Sequence, residues 1–111
     1  MSQDLGSIFA KAQEMQSRLT QLQQELARRT VEAQAGGGMV RVVASGDLRI
    51  QSVQIEPSLL EANDREMLQD LVAAAANAAL AEAQRMVQSE MQKVAGIPGL
   101  ADLKGLMGGG S

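Results

Sequence analysis

Ile55-Glu56-Pro57-Ser58-Leu59-Leu60, followed through Asp64 by an alanine-rich run to Val94, decides how this chain is organised. Pro57 has no backbone N–H and clashes inside a helix, so it separates a strand ending at Ile55 from helix beyond. Ser58 followed by Glu61, and Asn63 followed by Glu66, each match a capping box, in which side-chain oxygens satisfy the free amides of a helix start. The pattern predicts one helical turn after Pro57 and a main helix from about Asp64 to Ala95. Leu68, Val72, Ala75, Ala79, Ala83 and Met86 recur at helical spacing and predict a single buried stripe. Ala73 to Ala76, with Ala78, Ala79 and Ala81, leave so little bulk that a second helix can approach closely.

Upstream, Leu5, Ile8, Ala12, Met15, Leu19, Leu22 and Leu26 follow a 3-4 spacing, with Gln the commonest of the polar residues between them. This predicts a helix from about Leu5 to Arg28, roughly 36 Å long, packed along a narrow seam. Arg29 takes the next heptad position, and there the apolar pattern stops. Thr30-Val31-Glu32-Ala33-Gln34 alternates with period two and predicts a first strand. Gly36-Gly37-Gly38 predicts a turn; it lacks the Gly-Lys-Ser/Thr ending and following helix of a phosphate-cradling loop. Met39 to Ala44 predicts the second strand, Ser45-Gly46-Asp47 a turn, and Leu48 to Ile55 the third strand. In the third, Leu48 and Ile50 share one parity while Val53 and Ile55 share the other, so a bulge near Gln51-Ser52 is expected.

The fold class that follows is α+β: an N-terminal helix, a three-stranded antiparallel sheet, a short helical turn and a long C-terminal helix. Residues 1–95 form one domain. Gly96, Pro98 and the glycines beyond predict a disordered tail over residues 96–111.

The chain has no Cys and no His, which removes thiol nucleophiles, thiolate metal sites and the usual imidazole base. No Gly-x-Ser-x-Gly elbow is present, and the carboxylates from Glu61 to Asp70 lack EF-hand spacing. No catalytic residue, metal ligand, cofactor or small-molecule substrate is therefore expected. Phe9 is the sole aromatic residue, so the core is aliphatic and bases have no stacking platform, which disfavours single-stranded nucleic acid. No apolar run reaches the roughly 20 residues of a membrane span, and no signal peptide opens the chain. A soluble, cytoplasmic protein without a membrane partner is expected.

Charge is unevenly placed. Glu56, Glu61, Asp64, Glu66 and Asp70 are opposed by Arg65 alone, giving that segment a charge of −4 within a net −3 and leaving +1 elsewhere. Lys11, Arg18 and Arg29 fall within about 20° of one another on a helix, at one edge of the apolar stripe. Their heads can pair with Glu82 or Glu90 on the long helix while their stems cover the seam. Alternatively they form a cationic ridge, joined by Arg28, Arg85 and Lys93, that tracks a phosphate backbone. Arg41, in the hairpin, is a further candidate for DNA contact. A small sheet with open edges and the alanine stripe argue for a homodimer, with Leu68, Val72, Ala75 and Ala79 at the seam between copies.

Ile55-Glu56-Pro57-Ser58-Leu59-Leu60, Glu66-Met67-Leu68-Gln69-Asp70-Leu71-Val72 and Ala74-Ala75-Ala76-Asn77-Ala78-Ala79 resemble the signature of the YbaB/EbfC family of bacterial nucleoid-associated proteins. The resemblance runs from about Phe9 to about Val94; Glu56 and Gln69 depart mildly, standing where the family usually has Asp and Glu. It implies a non-enzymatic homodimer of the bacterial cytoplasm and nucleoid that grips double-stranded DNA between helical arms. On the residues alone, a prefoldin-like or adaptor protein whose helices hold other proteins is the alternative, and the acidic cluster suits it equally.

Overall fold

The computed structural model of the protein describes residues 2–95, with side chains placed over residues 4–94. The expectation of a disordered tail over residues 96–111 lies outside the described residues. The elements follow the expected order: α1 (Ser2–Arg28), β1 (Thr30–Ala35), β2 (Val40–Ser45), β3 (Ile50–Ile55), α2 (Pro57–Glu61) and α3 (Arg65–Ala95). The strands form one antiparallel sheet in the order β1-β2-β3.

The alanine stripe finds its partner inside the chain. Ala75, Ala79 and Ala83 are fully buried in one cluster with Val40, Val42 and Ala44 of β2. Small side chains on α3 let the helix lie close over the sheet, and Val31, Ala33 and Ala35 of β1 pack beside them. Ala75 and Ala79, expected between two copies, are thus consumed within the protomer. Leu68 and Val72 are half-buried against the same cluster, and Leu59 of α2 closes its end.

The helix starts differ in detail from the capping boxes. Pro57 holds the first position of α2, so Glu56 is its N-cap and Ser58 already lies inside the helix. For α3, Asn63 adopts a left-handed backbone at φ 55°. Asp64 Oδ1 accepts the Met67 amide at 3.1 Å, so the capping side chain comes one residue later than Asn63.

The bulge in β3 is present. Val43 pairs with Ser52 and Ala44 with Ile50, which leaves Gln51 as the extra residue. Ile50 and Val53 consequently share the face of Ala44 and Val42, the face that α3 covers. Yet α3 lies over β1 and β2 and scarcely reaches β3. Ile50 is 45% exposed and Val53 43%, with Leu48 in the preceding turn at 46%, so the β3 side carries an uncovered apolar strip.

Opposite ends of the sheet are marked by two glycine sites. At one end, Gly36, Gly37 and Gly38 turn the chain with φ of 63°, 67° and 95°, and Leu71 of α3 sits against Gly36. At the other, Gly46 passes directly beneath the Leu26 carbonyl and Val87, and its amide donates to the Arg29 carbonyl at 2.9 Å. Here α1 leaves the core. Leu26 is buried, Leu22, Leu19 and Met15 are half-buried, and Ile8 and Leu5 are more than 60% exposed. The seam read from the sequence is real near Leu26 and runs out into solvent beyond Met15.

Candidate nucleic-acid interface

α1 and the last turns of α3 present most of the cations singled out from sequence. Lys11, Arg18 and Arg28 lie on α1, Arg29 directly follows it, and Arg85 and Lys93 lie on α3; all are exposed. Most are engaged locally. Arg18 meets Glu14 at 2.8 Å, Arg29 meets Glu25 at 3.3 Å, and Arg85 meets Glu82 at 2.9 Å. Lys11, Arg28 and Arg41 have no carboxylate within salt-bridge distance among the described residues.

One pair crosses between the helices. Glu90 Oε1 lies 3.4 Å from Arg29 Nη1 and 3.1 Å from Lys93 Nζ. The Lys93 hydrogen bond, with Arg29 beside it, holds the Glu90 carboxyl below the usual carboxylate range, against a weaker effect of burial in the other direction. The pairing with Glu90 expected from the sequence therefore holds for Arg29, whereas Arg18 bonds within its own helix. The Arg18–Glu14 and Arg85–Glu82 pairs are exposed and screened by solvent, so an incoming phosphate displaces them readily.

Arg41 stands apart. Its neighbours Val40 and Val42 face α3, so Arg41 points from the opposite face, in a cross-strand row with Gln34 and Gln54. It borders a shallow cleft that Glu56 also lines. The sheet thus separates Arg41 from the α3 side of the molecule.

The acidic residues occupy the other pole. Glu56, Glu61, Asp64, Glu66 and Asp70 belong to α2, its flanks and the start of α3, at the Gly36–Gly38 end of the sheet. The arms leave from the Gly46 end, so repulsion of a polyanion by the acidic pole weakens along them with distance. What the sequence reading missed is the β3 strip. The signal was present in the parity change at Gln51, but nothing in the pattern says that α3 stops short of that strand.

The sequence pattern of the YbaB/EbfC DNA-binding family matches residues 1–97. The chain belongs to this family. A nucleoid-associated protein of Thermoanaerobacter pseudethanolicus is 45% identical over 100 residues, covering 87% of this chain and 90% of the relative. One from Pelotomaculum thermopropionicum is 46% identical over 103 residues, covering 90% and 98%. An uncharacterized protein of Helicobacter pylori has a similar crystal structure, with a TM-score of 0.66 and 25% identity, covering 80% of this chain and 94% of that one. Family and relatives place the protein among nucleoid-associated DNA-binding proteins and not among enzymes. No helix among the described residues is long and apolar enough to cross a membrane.

Proposed function

We propose that this family member binds duplex DNA as a homodimer, mainly through phosphate contacts from its arms, at the bacterial nucleoid. The observation that carries the reading is the polarity of the protomer: exposed cations along α1 and the end of α3, and the acidic cluster at the far end of the sheet. In this reading a second copy covers Leu48, Ile50 and Val53, because a two-fold contact lets one apolar strip serve both subunits.

A titration with duplex DNA at several salt concentrations tests the first half. Affinity should fall with a log-log slope of about −0.9 per phosphate neutralised. Arg18→Ala with Arg29→Ala should flatten the slope by about one unit per lost contact, up to two per substitution in a dimer, equally for all sequences. Unchanged affinity in a normally folded double mutant would take this ridge out of the mechanism.

Val53→Glu tests the second half. Placing an unpaired carboxylate in a buried contact costs several kcal/mol, so light scattering should show the variant as a folded monomer where the parent is a dimer. A parent that is itself a folded monomer at low micromolar concentration overturns the dimer.

An adaptor that holds other proteins is the second reading, favoured by Leu5, Ile8 and Phe9, exposed at 61–67% on the arm. For an adaptor, the arginine substitutions disturb protein partners and leave DNA affinity unchanged.

A further inference from the structure

At the root of the arms, one carboxylate oxygen draws in two cations from different segments. Glu90 Oε1 receives Arg29 at 3.4 Å, from the end of α1, and Lys93 at 3.1 Å, one turn along α3. Arg29 also reaches Glu25 at 3.3 Å, so Glu25, Arg29, Glu90 and Lys93 form a chain of alternating charge that joins the two helices. Among the described residues the remaining pairs, Glu14 with Arg18, Glu82 with Arg85 and Asp47 with Arg49, stay within one helix or one turn. The Glu90 side chain is 25% exposed against 60% for Glu14, so its pairs are less screened. A carboxylate here is electrostatically costly for a protein that grips a polyanion, since it occupies two of the cations on offer.

We infer that Glu90 is a positioning residue: it holds the α1 arm to α3 through Arg29 and Lys93, and duplex phosphate competes with it for the same two cations. DNA binding and the spread of the arms are thereby coupled. The inference rests on the reading of the arms as a DNA grip. Its chemistry is simple, because a phosphate oxygen accepts charge-assisted hydrogen bonds from guanidinium and ammonium as a carboxylate oxygen does. Two cations already aimed at one anionic oxygen need little rearrangement to accept another. When phosphate takes over, the ionic link through Glu90 is released and the apolar contacts near Leu26 hold the root of α1.

The chain has no Cys, so Gln13→Cys and Gln84→Cys, at exposed positions on α1 and α3, accept spin labels selectively. The doubly labelled full chain, diluted with unlabelled chain, gives the distance between the arms of one protomer by pulsed electron resonance. The parent should show one narrow distribution that saturating duplex DNA shifts or broadens. Glu90→Gln keeps the shape and removes the charge. It should shift or broaden the distribution without DNA and bind duplex several-fold more tightly. Glu14→Gln removes the same charge but breaks only a pair within α1. It should leave the distance unchanged and gain less affinity. A Glu90→Gln distribution identical to the parent's, or an affinity no higher than that of Glu14→Gln, overturns the inference. If the parent binds no duplex at any salt concentration, the DNA reading and the coupling both fall, while the distances without DNA still decide whether Glu90 holds the arms.

Discussion

Gly46→Ala should cost about 3 kcal/mol and lower the thermal midpoint by about 10–20 °C. A Cβ at this position would lie 1.9 Å from the Leu26 carbonyl oxygen and 2.8 Å from its carbon. Both are backbone atoms, so no rotamer change relieves the overlap. Retreat is blocked on the other side, where Val87 Cγ2 would stand 3.2 Å away. The Gly46 amide also donates to the Arg29 carbonyl at 2.9 Å, and moving α1 away stretches that bond. Gly37→Ala is the useful comparison. A Cβ there meets nothing within 4 Å, although φ is 67°, so only backbone strain of about 1 kcal/mol is expected. A Gly46→Ala midpoint within about 2 °C of the parent's would mean that α1 leaves the sheet along another path.

Ala79→Leu should be the second most damaging change, by about 1–3 kcal/mol or more in a denaturant titration. Ala79 has no exposed surface and lies in the cluster with Val40, Val42 and Ala44. The added carbons have to part the helix from the sheet or force strained rotamers. Ala74→Leu, on the exposed side of the same helix, should stay within about 0.5 kcal/mol of the parent. Equal losses at the two positions would show that helix propensity, and not packing, sets the result. The destabilisation belongs to the protomer, because the partner of the stripe is its own sheet.

That last point shows where sequence reading stops. The spacing of Ala75, Ala79 and Ala83 declares a buried, close-packed face, and the face is buried. It does not declare what lies opposite, because small residues fit a sheet in the same chain as well as a helix in another. Pro57 and the parity change at Gln51 fixed boundaries because each is a local steric or register constraint. Capping was off by one residue at Asn63 because Asn also favours the left-handed conformation found there, leaving Asp64 to cap. For the candidate interface, helical angles put Lys11 and Arg18 on one side of α1, whereas Arg29 already lies one residue past its end. Three-dimensional placement adds that Arg41 stands on the sheet face away from α3, and that of Glu82 and Glu90 it is Glu90 that takes Arg29, with Lys93 on the same oxygen.

The protruding α1 has a hydrodynamic consequence. The protomer measures 75 × 27 × 16 Å, with a radius of gyration of 21.1 Å, whereas a compact domain of similar length has one of about 13 Å. So elongated a particle experiences more friction than a sphere of 11.7 kDa. On a gel-filtration column a single copy should elute early, near the position of a compact protein of higher mass. Elution volume therefore registers the arm as if it were a second subunit, and only a mass measured by scattering or sedimentation equilibrium counts chains.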